Sequence, residues 1–259
     1  MKGKLLLIDG MNLIRRIYAA CERSNSSQPV EQAIQRSKQT LHRLLQQHRP
    51  SHALCVFDGQ EKNWRTELLP SYKANRKPIP QPLSNALDQF QQAFWQLGVD
   101  SLLSESDEAD DLIATITAKA SNHLPVVIVS TDHGYGQLIG AAISQWDCFL
   151  RQYLDEQFYR EKYAIQPGLL PLFVSLVGSH SHNIKGVKGV GKKTAANLLQ
   201  HIQEPSDIWR DVIDDPKLAQ KLRESADIID INFRILNYKK DIPLGFSMSE
   251  IRYSGAKDA

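Results

Sequence analysis

Three short apolar runs punctuate the first half of the chain: Leu5–Ile8, Ala53–Phe57 and Val126–Val129. Each is continuous rather than alternating, which is the pattern of a strand covered on both faces inside a parallel sheet. Helical patterns lie between them, over Val30–His48, Leu83–Leu97 and Asp110–Ala120; the last follows an acidic opening suited to a helix N-terminus. This alternation predicts an α/β fold with a mainly parallel central sheet flanked by helices. From Gln166 the texture changes. Pro167 is placed to open a helix reaching about Val177, a turn containing Gly and Lys follows, and a second helix is expected over Lys192–His201, with short helices to about Asn237. The expected organisation is an α/β core over 1–165, a helical subdomain over 166–240 and a frayed tail over 241–259. Residues 59–82 are polar and basic, with Pro70, Pro78, Pro80 and Pro82. A stretch this long between strand and helix reads as a lid or arch.

Composition adds one surprise. The 259 residues are 42% apolar and 23% charged, enough for a packed core, and the net charge is only +2. That total hides blocks of opposite sign: +6 over residues 1–50, −6 over 101–150 and +4 over 151–200. An acidic block between basic ones suits a metal pocket set in a surface that attracts polyanions. Arg15 and Arg16, in the first block, read equally as polyanion contacts or as a solvated helix face. Cys21, Cys55 and Cys148 are odd in number and lack CxxC spacing, which argues against a disulfide framework or zinc ribbon. No run approaches membrane-spanning length, so a cytoplasmic protein is expected.

An aspartate follows each apolar run: Asp9, Asp58 and Asp132. In a parallel sheet the strand C-termini share one edge, where ligands bind. Glu108, Asp110 and Asp111 sit together at a helix start. Any one of these reads alone as a turn or cap; together they read as an all-oxygen site for Mg²⁺ or Mn²⁺. Further on, Gly186, four residues, Gly191 and Lys192 partly match a nucleotide-binding loop, but Lys193 stands where Ser or Thr is required and no strand precedes it. The segment reads better as a hairpin between helices. Gly189 and Gly191 would supply positive φ, and helix N–H groups with Lys188, Lys192 and Lys193 would receive a DNA phosphate.

Taken in order, the motifs Leu7-Ile8-Asp9-Gly10, Val56-Phe57-Asp58, Tyr72-Lys73-Ala74-Asn75-Arg76, Glu108-Ala109-Asp110-Asp111, Ser130-Thr131-Asp132 and Gly186-Val187-Lys188-Gly189-Val190-Gly191 resemble the 5′–3′ exonuclease and flap endonuclease family over roughly residues 4–200. The resemblance implies a PIN-like nuclease core with a helix-three-turn-helix subdomain. It implies Mg²⁺ ligands at Asp9, Asp58, Glu108 and Asp110, with Asp111 as a ligand or close partner and Asp132 between two metal sites. Lys73 and Arg76 match basic residues at the scissile phosphate, Tyr72 a base-stacking ring and Arg65 a phosphate contact. The hairpin would bind duplex backbone through Gly189, Val190, Gly191, Lys192, Lys193 and Thr194, around a K⁺ held by the carbonyls of Leu176, Val177, Lys185, Val187 and Val190. Three carboxylates usual at a second metal site are absent, their places taken by Gly134, Ser179 and His182. The expectation is one well-held Mg²⁺, a second ion held indirectly or weakly, and hydrolysis of DNA at 5′ flaps or junctions by a monomer. Any polymerase partner would be another chain. The alternative is a flap- or junction-binding protein that has lost catalysis.

Overall fold

The computed structural model describes residues 3–24, 27–59, 63–209 and 215–255. Residues 60–62 of the expected arch and 256–259 of the expected tail lie outside the described residues. The three apolar runs form adjacent central strands. β1 (Leu5–Asp9) pairs in parallel with β2 (His52–Phe57) on one side and with β4 (Val126–Val129) on the other. β3 (Asp100–Leu103) lies outside β2, β5 (Ile143–Asp147) outside β4, and antiparallel β6 (Gln152–Leu154) closes that edge. Successive residues serve opposite faces, as the strand pleat demands. Leu6, Ile8, Cys55, Phe57 and Val129 enter one core cluster; Leu5, Leu7, Leu54, Val56 and Ile128 enter another. Burying each such side chain contributes about 1.5–3 kcal/mol.

The first face is covered by α1 (Gly10–Arg23) and α2 (Pro29–His48), which contribute Leu13, Ile14, Leu41 and Leu44 to that cluster. The polar segment contains a short α3 (Trp64–Leu68). The expected helix over Leu83–Leu97 is two pieces, α4 (Gln81–Ser84) and α5 (Leu87–Trp95). Between the two pieces Asn85 Oδ1 accepts from Gln81 Nε2 at 2.7 Å, a side-chain pair one helical turn apart. α6 (Ala109–Ala120) covers the second face with Leu112, Ile113 and Ile116.

α7 (Glu156–Tyr163) leads into the helical half. The helix expected from Pro167 is a 3₁₀ turn, Pro167–Leu169, followed by α8 (Leu170–Val177), with Pro171 tolerated in the first turn of α8. A two-stranded hairpin, β7 (Gly178–Ser179) and β8 (Ile184–Lys185), precedes α9 (Lys192–Leu199); α10 (Pro216–Glu224) and α11 (Ala226–Leu236) complete it. Leu172, Phe173, Leu176, Leu199 and Ile229 form its core. No helix among the described residues is long and apolar enough to cross a membrane.

The tail differs from expectation. Rather than fraying, it returns across the α/β core. Ile242, Leu244, Phe246 and Met248 recur at every second position and pack against the α6-side cluster. Ile251 is buried; its carbonyl accepts from Ala53 N–H at 3.0 Å, and Tyr253 N–H donates to Ser51 at 2.9 Å. The arch residues that are described also lie down rather than stand open. Arg65 is fully buried. Its guanidinium donates to both Asp111 oxygens, at 2.5 and 2.7 Å, and its Nε donates to the Ile235 carbonyl at 2.7 Å. α3, α6 and the end of α11 are thereby pinned together. Arg65 has no surface to offer a phosphate in this arrangement, and Asp111 is paired with it behind the aspartate-lined cavity, in the place of the close partner expected as the alternative to a ligand.

Two stability outcomes follow. Asp111→Ala or Arg65→Ala strands a buried charge and costs about 3–5 kcal/mol, read as a lowered urea midpoint. Truncation after Lys240 lowers the melting temperature, whereas a frayed tail would leave it unchanged; Ile251→Ala alone costs about 2–4 kcal/mol.

Candidate active site

At the C-terminal edge of the sheet four aspartates line one cavity of about 300 Å³: Asp9, Asp58, Asp110 and Asp132, together with Arg15, Arg16, Lys73 and Arg76. Each is fixed locally. Asp9 ends β1 and caps α1, accepting from Asn12 N–H at 3.0 Å and from Ser130 Oγ at 2.8 Å. Asp58, just past β2, accepts from Ala109 N–H at 2.9 Å, which ties it to the start of α6. Asp110, in the first turn of α6, accepts from the Tyr135 hydroxyl at 2.6 Å. Asp132, past β4, accepts from Gly134 N–H at 2.8 Å.

The electrostatics of the group are adverse without a cation. Burial pushes the Asp9 carboxyl up to about 7, with the charges of Asp58 and Asp132 adding to the effect. Burial likewise raises Asp110 well above the usual range; Lys73 pulls it back, and Asp9, Asp132 and Glu108 push further. The donors are hard oxygens, the set that suits Mg²⁺ or Mn²⁺. Among the described residues no three His, Cys, Asp or Glu side chains converge closely enough to hold an ion by themselves. The chemistry therefore fits a divalent ion whose shell is completed by water and substrate oxygens.

Glu108 departs from the expected ligand set. It caps α6 and does not line this cavity. Its carboxylate accepts from Lys73 Nζ at 2.8 Å, Asn63 Nδ2 at 3.0 Å and the Tyr72 hydroxyl at 3.1 Å, with Arg65 at 3.3 Å. Burial opposes its ionisation, but Lys73 and Arg65 win and hold it below the ordinary carboxylate range. Tyr72 is another correction. It is 5% exposed and lies parallel to the His182 ring at 5.9 Å, so it offers no face to a nucleic-acid base. Lys73 and Arg76 do reach the cavity.

The positions of the missing carboxylates line an adjoining cavity of about 450 Å³, where Asp132 is the single acid among the described lining residues. A Cβ on Gly134 would lie 2.1 Å from the Tyr238 hydroxyl, so a carboxylate side chain there requires Tyr238 to move. Ser179 Oγ sits 2.9 Å from His182 Nδ1, so the two residues engage each other.

The hairpin is built on close backbone approach. A Cβ on Gly186 would lie 2.4 Å from the Leu176 carbonyl oxygen, and Gly178 has φ 88°. Gly189 has the expected positive φ of 78°, but Gly191 does not: its φ is −94°, and it caps α9 with open space around it. Lys192, Lys193 and Thr194 are exposed, while the Val190 side chain belongs to the helical core. Three of the five carbonyls expected around K⁺ already accept hydrogen bonds: Leu176 from Val187 N–H, Val187 from Val190 N–H, and Lys185 from Asn232 Nδ2. Each carbonyl oxygen retains a second lone pair.

Sequence reasoning missed the residues that hold the aspartates in place. Asn12 stands three positions after Asp9, a capping geometry readable from spacing. Tyr135 and Ser130 carry no comparable local signal.

Comparison with known proteins fits this geometry. Residues 4–164 match the family model of the 5′-3′ exonuclease N-terminal resolvase-like domain, and residues 165–259 match the 5′-3′ exonuclease C-terminal SAM fold. The chain is 39% identical to the flap endonuclease Xni of Vibrio parahaemolyticus, with all of both chains covered. It is 40% identical to that of Aeromonas hydrophila, with 98% of this chain and 97% of the relative covered. Among solved structures, a zinc-bound T5 5′-exonuclease superimposes with a TM-score of 0.76 at 20% identity, covering 90% of this chain and 89% of the other. A T5 flap endonuclease complex with DNA and metal ions gives a TM-score of 0.73, also at 20% identity, covering 90% of this chain and 88% of the other. With an aspartate-lined edge on a mostly parallel sheet, a helical second half and full-length relatives of one kind, the chain belongs to the 5′-3′ exonuclease family.

Proposed function

We propose that this protein is a Mg²⁺-dependent, structure-specific endonuclease that hydrolyses a phosphodiester near the base of a 5′ flap in cytoplasmic DNA. The observation that carries the reading is the meeting of Asp9, Asp58, Asp110 and Asp132 with Lys73 and Arg76 in one cavity. The names of the full-length relatives support the substrate class. A divalent ion, when bound among these carboxylates, supplies Lewis acidity toward the phosphodiester. The chain's own part is positioning and charge. Lys73 and Arg76, lining the same cavity, would stabilise the negative charge that develops on the phosphate oxygens. The exposed N–H groups at the start of α9, with Lys192 and Lys193, hold a duplex phosphate without reading sequence. The backbone crossing of 176–178 and 184–186 supports a K⁺ at this hairpin, which would strengthen that grip.

The packed hydroxyl of Tyr238 beside Gly134 favours a second reading, that of a flap-binding protein without catalysis. A labelled 5′-flap duplex separates the two. With Mg²⁺ the purified protein releases the flap, and Lys73→Ala reduces single-turnover cleavage about 100-fold or more with a smaller loss of binding; tight, K⁺-dependent binding without cleavage would establish the second reading instead. Removing one buried charge also has a visible consequence. Asp110→Asn keeps an acceptor for Tyr135 but lifts the repulsion within the cavity. Its melting temperature in EDTA therefore rises above that of the unsubstituted protein. The stabilisation by added Mg²⁺ shrinks and cleavage is lost.

A further inference from the structure

The 179–183 turn has no acidic residue, and the segment carrying Lys73 and Arg76, two of the cavity's four cations, is fastened to it at five places. Lys73 N–H donates to the His182 carbonyl at 2.9 Å. Asn75 Nδ2 donates to the His180 carbonyl at 2.6 Å, and Arg76 Nε to the Ser181 carbonyl at 3.1 Å. In the reverse direction Asn183 Nδ2 donates to the Ser71 carbonyl at 2.8 Å. The fifth contact is the stack of the His182 ring on Tyr72, 11° from parallel. Both sides hold a non-glycine residue in the left-handed region, Lys73 at φ 54° and Asn183 at φ 53°. Such conformations persist only where surrounding contacts impose them. Behind Tyr72 lie Ile184 and Ile235, and its hydroxyl reaches Glu108, which also holds Lys73 Nζ.

We propose that His182 is a positioning residue: its ring, stacked on Tyr72, latches residues 71–76 to the 179–183 turn and so fixes Lys73 and Arg76 at the catalytic cavity before DNA arrives. The stack needs a flat ring. Burial also keeps that ring uncharged, pushing the imidazole down to about 4 against the opposing pull of Asp132. The pair of cations is then pre-set, and the ordering of two long side chains is not charged to the binding step. The catalytic half of this inference rests on the nuclease reading above; the latch itself does not.

Three substitutions decide it. His182→Phe keeps a flat ring, His182→Ala removes it, and His182→Asp installs the carboxylate that a second metal site would want. Amide hydrogen exchange over 71–76, measured without DNA or metal, speeds up about tenfold or more in the Ala and Asp variants and stays within about threefold in Phe. Single-turnover cleavage of a 5′-flap duplex falls about tenfold in Ala and Asp, with the dissociation constant changed less than about threefold, while Phe retains the rate. A His182→Asp variant that cleaves as fast as the unsubstituted protein or faster would overturn the latch, since the residue would then be a degraded metal ligand. Unchanged exchange in His182→Ala overturns it equally. If the Ala variant fails to fold, Asn75→Ala tests the same latch from the exposed side by the same exchange measurement. An unsubstituted protein that does not cleave sinks the nuclease reading while leaving the exchange result to judge the latch.

Discussion

The buried pair between Arg65 and Asp111 is the interaction on which the arrangement of this molecule depends. A guanidinium with no exposed surface is costly to bury and is tolerated when charged and hydrogen-bonding partners surround it. Here Nη1 and Nη2 meet Asp111, Nη1 also approaches Glu108, and Nε meets the Ile235 carbonyl. The pair joins a segment just after β2, the first turn of α6 and the end of α11. Asp110 is the neighbour of Asp111, so the helix turn that presents a carboxylate to the aspartate-lined cavity is held from behind by this contact. Lys239 N–H also donates to Asp111, at 3.0 Å, which carries the constraint into the returning tail.

The same turn of α6 therefore has two opposed halves. On the buried side, charges are paired and Glu108 stays ionised. On the cavity side, burial pushes Asp110 and Asp9 toward the neutral form, and the neighbouring carboxylates push the same way. The protein holds the repelling side in place with the attracting side. Groups whose environments are driven apart in this way mark functional sites more often than structural ones.

The sequence pattern reveals some of this and not the rest, for physical reasons. β1, β2 and β4 are legible because both faces are buried and their residues are uniformly apolar. β5 is not, since Gln145 sits fully buried within it, its Nε2 donating to the Ser130 and Asp132 carbonyls and its Oε1 accepting from Tyr159. A polar residue satisfied this completely reads as surface in a hydropathy pattern. The strand-end aspartates are legible because parallel topology alone brings them together. The roles of Arg65, Tyr72, Glu108 and Asp111 are not, because sequence does not distinguish a charge facing solvent from one paired inside. The tail had a signal, apolar residues at every second position from Ile242 to Met248, masked by the proline and glycine between them.

A net charge of +2 would ordinarily argue against a nucleic-acid enzyme. The structure resolves the total into two roles with different exposure. Much of the acidic block is at the sheet edge or paired inside: Asp111 and Glu108 are buried against Arg65 and Lys73, and Asp110 and Asp132 crowd one cavity. The basic hairpin is the reverse, with Lys185, Lys188, Lys192 and Lys193 all exposed. Charges in contact with solvent set the field that an approaching polyanion meets, whereas recessed carboxylates act over short range on a cation. A nearly neutral chain thus presents a cationic hairpin beside a recessed anionic cleft, and the separation of the two, rather than their sum, is what suits it to DNA.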